Sequence, residues 1–261
     1  MNNSLFSKYI AANTIIHNLD PRVKLIGTIV YLINIFIART IAEFIILFIF
    51  LFVVEYLAQI NLKYLLSGFK SILFIVFFTG IIHIIFNKSG DIILTISSFN
   101  LYSGAIYNII LICIRFFLVV AIMIIFMITT SPTELMSSVD KGLEPLNKLG
   151  INVATFSLLL SISIRFIPTI GEETNRIINA QVSRGANIRA SGIIEKVKNF
   201  IPILIPIFIA TLKRADELAT AMEVRGYNPD MKRTKYRKLE YTNYDYLGYF
   251  IILLLTLFIV I

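Results

Sequence analysis

Charge is what this sequence has least of. Only 15% of its 261 residues are Asp, Glu, Lys or Arg, where a soluble globular domain carries about a quarter. With 57% hydrophobic residues, 21 phenylalanines and a mean hydropathy of +0.81, a soluble domain is excluded and a membrane protein is expected. The lone cysteine, Cys113, lies in an apolar run, which excludes a disulfide framework and a thiolate metal cluster. Two histidines, His17 and His83, suggest no metal partner and form no paired-histidine zinc helix. No glycine-rich phosphate loop ends in Gly-Lys-Ser or Gly-Lys-Thr, and no nucleophile elbow occurs. Any nucleotide hydrolysis therefore belongs to another chain. The stretch before Asp20 has one lysine, Lys8, and no apolar core of signal-peptide length, so the first hydrophobic helix is expected to direct membrane insertion.

What is present reads as an all-α polytopic protein of about five transmembrane helices. Asp20-Pro21 is an N-cap followed by proline at the first helical position, leading into a first span from Leu25 to Ala38. An unbroken helix from there to Ala58 would be about 51 Å long at 1.5 Å per residue, too long for a hydrocarbon core of about 30 Å. Arg39, Thr40 and Glu43 mark the place to split it into two short helices joined by a tight turn. A polar gap from Gln59 to Lys70 precedes a third span, Ser71 to Phe86, and a turn at Asn87 to Gly90. Residues Asp91 to Ser103 alternate apolar and small polar side chains, which fits a re-entrant or extra-membrane stretch rather than a crossing.

The fourth span is Ala105 to Thr130, and Ser131-Pro132-Thr133-Glu134 then forms a capping box. Beyond it the apolar runs, such as Val153 to Ile164 and Phe200 to Leu212, shorten to about a dozen residues, a length for buried or interfacial helices. Pro168, Pro202 and Pro206 are expected to break them further. The last span, Tyr246 to Ile261, follows Tyr241 and Tyr244, an interfacial tyrosine belt in a chain without tryptophan.

The expected division is a membrane domain (1–130), a cytoplasmic coupling domain (131–244) and a final transmembrane helix (245–261). With the N-terminus inside, 21 of the 24 lysines and arginines fall on the inner side and only Arg39 and Lys88 outside, Arg115 lying within a span. The net charge of +8 is thus the positive-inside rule rather than a nucleic-acid surface, and it makes 131–244 cytoplasmic.

Two segments of that region end alike. Ala180-Gln-Val-Ser183-Arg184-Gly185-Ala-Asn187 is matched forty-one residues later by Ala221-Met-Glu-Val224-Arg225-Gly226-Tyr-Asn228. Arginine in a last turn complements the helix dipole, and glycine just beyond supplies the left-handed residue that ends a helix. Upstream, Glu172, Arg176, Asn179 and Ser183 form a polar stripe opposed by Ile170, Ile177, Ile178 and Val182. Lys213, Glu217, Thr220 and Glu223 do the same opposite Ala215, Leu218, Ala219 and Met222. Glu172, Glu173, Asp216, Glu217 and Glu223 would be repelled by anionic headgroups, so a protein partner fits better than lipid. An arginine fork at a helix tip suits a carboxylate in that partner's groove.

Ionisable residues in the spans offer a rival reading, a membrane-embedded enzyme using Glu43, Glu55, His83 or Arg115 on a lipid-soluble substrate. Against it, Arg115 is expected to tie neighbouring helices together through Glu43, Glu55 or a carbonyl, and His83 to be an interfacial or satisfied core residue. A stand-alone permease is a third possibility.

The sequence resembles the transmembrane T component of energy-coupling factor (ECF) transporters, the family of EcfT and CbiQ. The resemblance rests on His17-Asn-Leu-Asp-Pro-Arg-Val-Lys-Leu25, Thr130-Ser-Pro-Thr-Glu-Leu135, Arg165-Phe-Ile-Pro-Thr169 and Leu218-Ala-Thr-Ala-Met-Glu-Val-Arg-Gly-Tyr227, in order along nearly the whole chain. Ser183 and Val224 stand where the family's two motifs usually have alanine. The resemblance implies a scaffold subunit of an ABC-type importer for vitamins or other micronutrients. Ala180, Ser183, Arg184 and Gly185 would dock on one of two ABC-type ATPase subunits, and Ala221, Val224, Arg225 and Gly226 on the other. It also implies a separate membrane S component that binds substrate, bends set by Pro168, Pro202 and Pro206, and no catalysis or bound cofactor in this chain, ATP and Mg being held by the ATPases.

Overall fold

The computed structural model describes residues 10, 12–87, 89–96, 99–143, 153–186, 193–228, 231 and 241–260. Helices account for almost all of it: α1 (Ile15–Asn18), α2 (Pro21–Ile37), α3 (Ile41–Ala58), α4 (Leu62–Phe86), α5 (Ser103–Thr129), α6 (Pro132–Leu143), α7 (Val153–Ser183), α8 (Ile193–Val224) and α9 (Asn243–Val260). The expected all-α membrane class holds. One small hairpin is added where alternation had pointed away from a crossing: β1 (Ile92–Ile96) pairs antiparallel with β2 (Phe99–Tyr102), with a register shift between Ile92 and Leu94. The chain falls into two compact units, Asp140–Arg237 in one and Ser7–Val139 with Lys238–Ile261 in the other.

In the second of these, α2, α3, α4, α5 and α9 pack together, α5 touching α2, α3 and α4 while α9 lies on α2. Tyr31, Ile35, Phe44, Leu47, Leu51, Leu118 and Ile125 are buried at its centre. Its outer surface is equally apolar. Ile26, Ile29, Ile33 and Phe36 recur on the exposed side of α2, and Ile41, Ile45, Phe48, Ile49 and Phe52 on that of α3. Helices apolar both inside and outside belong in lipid, where every backbone group must be bonded within the helix. Among the described residues four helices are long and apolar enough to cross a membrane, Ile41–Ala58, Ser103–Thr129, Val153–Ser183 and Asn243–Val260, with Ile72–Phe86 a shorter apolar helix. This is a multi-pass membrane protein.

The expected split between the first two spans is real, and its cause is a capping box. Thr40 Oγ1 accepts from Glu43 N–H at 3.4 Å, while Glu43 Oε2 accepts from Thr40 N–H at 3.4 Å and Arg39 N–H at 2.7 Å. Donors at a helix start need partners, and this pair supplies them to Arg39, Thr40 and Glu43 without glycine or proline. The other two caps are as expected: Asp20 accepts from Arg22 N–H at 2.8 Å, and Ser131 and Glu134 cap each other at 3.1 and 3.3 Å.

Three expectations need correction. The polar gap from Gln59 to Lys70 is mostly helix, because Asn61 caps Lys63 N–H at 3.0 Å and starts α4 nine residues before Ser71. Val153 to Ile164 is not a short element but the beginning of the 31-residue α7, and Phe200 to Leu212 lies inside the 32-residue α8. Nor do the prolines break these helices: α7 runs through Pro168, and α8 through Pro202 and Pro206. Each proline removes one backbone hydrogen bond, and the intact turns on either side carry the helix across the gap.

Candidate functional site

The two Arg-Gly segments end their helices with the same pair of capping hydrogen bonds. At the end of α7, Gly185 N–H donates to Val182 O at 2.9 Å and Ala186 N–H to Gln181 O at 3.0 Å, with Gly185 at φ +91°. At the end of α8, Gly226 N–H donates to Glu223 O at 2.9 Å and Tyr227 N–H to Met222 O at 2.9 Å, with Gly226 at φ +75°. Each is a Schellman motif, in which the left-handed glycine turns the chain so that two otherwise orphaned carbonyls are bonded. Arg184 and Arg225 are therefore the residues at which helical geometry stops. Both are exposed, and each sits at the negative end of its helix dipole.

The neighbouring side chains leave those arginines accessible. Ala180 and Ala221 lie four positions earlier, on the same helix face as the arginine that follows, and both are exposed. Ala221 lines an open notch of about 440 Å³ with Asp216, Glu217, Thr220, Val224 and Arg225. Ala180 lines another of about 380 Å³ with Glu172, Glu173, Arg176 and Arg214. Ser183 donates its hydroxyl to Asn179 O at 3.0 Å within its own helix, so its surface is close to that of the alanine it replaces. Val224 is 83% exposed, an apolar side chain held out beside Arg225. Asn187 lies outside the described residues.

The polar stripes are where the periodicity placed them, since Glu172, Arg176, Asn179, Ser183, Lys213, Glu217, Thr220 and Glu223 are all exposed. The apolar faces are narrower than expected. Ile170, Ile177, Ile178, Leu218 and Met222 are half-buried, whereas Val182, Ala215 and Ala219 are exposed. One acidic residue is already engaged: Glu173 Oε2 lies 2.9 Å from Arg214 Nη2, a salt bridge joining α7 to α8. Arg214 also stands over the Phe166 ring at 5.9 Å. Sequence reasoning missed Arg214, although it occupies the position on α8 that Glu173 occupies on α7.

Among the membrane-embedded candidates, Arg115 donates to Ala38 O at 2.8 Å and faces the Phe44 ring at 5.6 Å. The expected carbonyl is thus its partner, and it ties α5 to the end of α2. Glu43 is used in the capping box and Glu55 is buried on α3. Among the described residues no three His, Cys, Asp or Glu side chains could hold a metal ion.

A second polar cluster went unread. Lys24, buried in α2, donates to His17 O at 2.7 Å and Thr129 O at 3.0 Å. Asp245 Oδ1 accepts from Asp20 N–H at 2.7 Å, while its Oδ2 accepts from Thr242 N–H and Oγ1–H, both at 2.7 Å. Arg22 pairs with Asp20 at 2.8 Å and stacks on Tyr241 at 4.1 Å. The ends of α1, α2, α5 and α9 are thereby fastened together. The available signal was the density of polar residues in His17–Leu25, a stretch otherwise about to enter lipid.

The chain is similar to known proteins over nearly its whole length. The family described as "Cobalt transport protein", CbiQ, matches residues 12–236. The energy-coupling factor transporter transmembrane protein EcfT of Bacillus subtilis (strain 168) is 38% identical over 245 residues, covering 94% of this chain and 92% of its own. Its counterpart in Streptococcus equi subsp. equi (strain 4047) is 37% identical over 259 residues, or 99% and 96% of the two chains. That of Lactococcus lactis subsp. cremoris (strain MG1363) is 35% identical over 261 residues, or 100% and 98%.

Proposed function

This chain belongs to the CbiQ family as a transmembrane T component of energy-coupling factor transporters, and from that premise we propose that its two arginine-tipped helices are the coupling elements of the scaffold. Each tip docks on one of two ABC-type ATPase subunits, Arg184 on one and Arg225 on the other. The observation that carries this reading is the pair of matching Schellman caps, each presenting an exposed arginine one turn after an exposed alanine. A guanidinium with five fixed donors, projecting from a helix end, fits a carboxylate at the edge of a groove.

ATP and Mg reside on the ATPases, and this chain is non-catalytic. ATP binding draws the two ATPases together, the docked tips move with them, and the membrane helices tilt a separate S component that holds the vitamin or other micronutrient. The lysine and arginine distribution supports a cytoplasmic N-terminus and cytoplasmic Arg-Gly tips, with the apolar first part of α7 long enough to enter the membrane.

Co-purification from detergent tests the proposal. Tagged chain is expected to retain both ATPase subunits. Arg184→Glu with Arg225→Glu is expected to lose them, each broken charged contact weakening docking by about 2–5 kcal/mol. Unchanged assembly and unchanged ATP-driven uptake in that double variant would refute the coupling role.

A further inference from the structure

At the forty-one-residue offset of the two Arg-Gly ends, three charged positions farther upstream are inverted in sign. Counting back from each arginine, Glu172 corresponds to Lys213, Glu173 to Arg214 and Arg176 to Glu217. At these three positions a charge on one helix has the opposite sign at the equivalent position of the other, while the tip arginines are alike. One of these equivalent pairs is in contact: Glu173 and Arg214, each eleven positions before its own arginine, form the 2.9 Å salt bridge between α7 and α8. Eleven helical residues span about 16 Å. The two helices are thus fastened at points equally far from their tips.

We propose that Glu173 and Arg214 are positioning residues, a pin that holds α7 and α8 in register so that Arg184 and Arg225 are presented on arms of equal length. Charge inversion explains why the pin selects this register. Two helices of like charge at the equivalent positions would repel where they meet, whereas here glutamate meets arginine, and a slip of about one turn would set Glu173 against Glu217. Packing supports the same register: Phe166, on the α7 face that carries Glu173, lies under the Arg214 guanidinium. Equal arms suit two docking sites that are copies of one another, as the matched caps require. The inference rests on the coupling role proposed above only for its purpose; the pin itself is a property of this chain.

The test uses the full chain in lipid nanodiscs, with Cys113→Ser and nitroxide labels on Asn179→Cys and Thr220→Cys. These two positions are equivalent in the repeat, and both are exposed. Pulsed electron resonance of the parent is expected to give one narrow distance. Arg214→Glu is expected to broaden it or shift it by about a helical turn, ~5 Å, and the swap Glu173→Arg with Arg214→Glu to restore it. Where the reversal aggregates, Glu173→Gln is read in the same way. An unchanged distribution in the single variants, or a swap that fails to restore it, overturns the pin. A separate arm measures ATPase capture with Arg184→Glu and Arg225→Glu; unchanged capture there sinks the coupling role and leaves the pin standing.

Discussion

The two helix ends make a quantitative test possible, because the glycines at their tips are needed for conformation and not for space. Gly185 and Gly226 sit at φ +91° and +75°, yet nothing lies within 4 Å of the Cβ that alanine would add to either. Alanine at such a φ costs about 1 kcal/mol from its own backbone sterics, with no collision to add. If docking requires the capped form, Gly226→Ala weakens ATPase binding about fivefold, since 1.4 kcal/mol is a factor of ten. The two sites are independent, so Gly185→Ala with Gly226→Ala together weaken it about thirtyfold. Asparagine, which tolerates left-handed geometry, loses less than alanine, and β-branched valine loses more. The assay is ATPase binding to immobilised full chain in nanodiscs. The order Gly, Asn, Ala, Val is expected. Equal effects of all three substitutions would refute the conformational argument. A loss far beyond a hundredfold for alanine would do so as well, because it would mean that the partner packs against the glycine itself.

Other expectations concern the polar cluster and the embedded arginine. Lys24→Met strands the carbonyls of His17 and Thr129, at about 1–3 kcal/mol for a buried group left without its partner, and lowers the thermal midpoint in detergent; an unchanged midpoint would contradict the role drawn from these contacts. Burial first, and the Lys24 charge second, hold His17 below its ordinary pKa of 6.5. The unfolded chain then takes up the proton first on acidification, so stability is fully present above about pH 6.5 and falls below it. Melting curves at pH 7.5 and 5.5 should show the drop, and His17→Gln should flatten it. Arg115→Met leaves Ala38 O without its donor and is expected to destabilise the chain by about 1–3 kcal/mol, read as earlier proteolysis between α2 and α3.

The fold was legible wherever local chemistry decided it. Asp20-Pro21, Ser131-Pro132-Thr133-Glu134 and the two Arg-Gly ends are cap signals that act within a few residues, and all four behave as their sequence implies. Asn61 is the same kind of signal, overlooked because polar residues around it suggested a gap. The prolines misled for a different reason: apolar run length was taken for helix length, although an amphipathic helix can continue after its apolar face has narrowed to a stripe. What could not be seen were contacts between distant segments. Asp20 reaches Asp245 and Lys24 reaches Thr129 only once the helices are packed, and no periodicity reports that. Glu173 and Arg214 lie between these extremes. The forty-one-residue offset that exposed the matched tips also aligns this pair, but the contact had to be observed before the charge inversion acquired a meaning.

The corrected proline positions bear on how these helices could carry force. All three stand before the salt bridge: Pro168 precedes Glu173 on α7, and Pro202 and Pro206 precede Arg214 on α8. From Glu173 to Arg184 and from Arg214 to Arg225 there is no proline, so no backbone donor is missing between the bridge and either tip. A proline weakens a helix locally by removing a hydrogen bond and crowding the carbonyl one turn back, which makes that turn the easiest to bend. On the proposed coupling role, compliance is confined behind the bridge, and the arms ahead of it are uninterrupted helix. A pull on either arginine is then delivered to the bridge before it reaches a turn that can yield. Moving a proline to the other side of the bridge, as in Asn179→Pro, should leave the capped tip in place and reduce uptake per ATP hydrolysed. Undiminished coupling in that variant would show that stiffness between bridge and tip is not required.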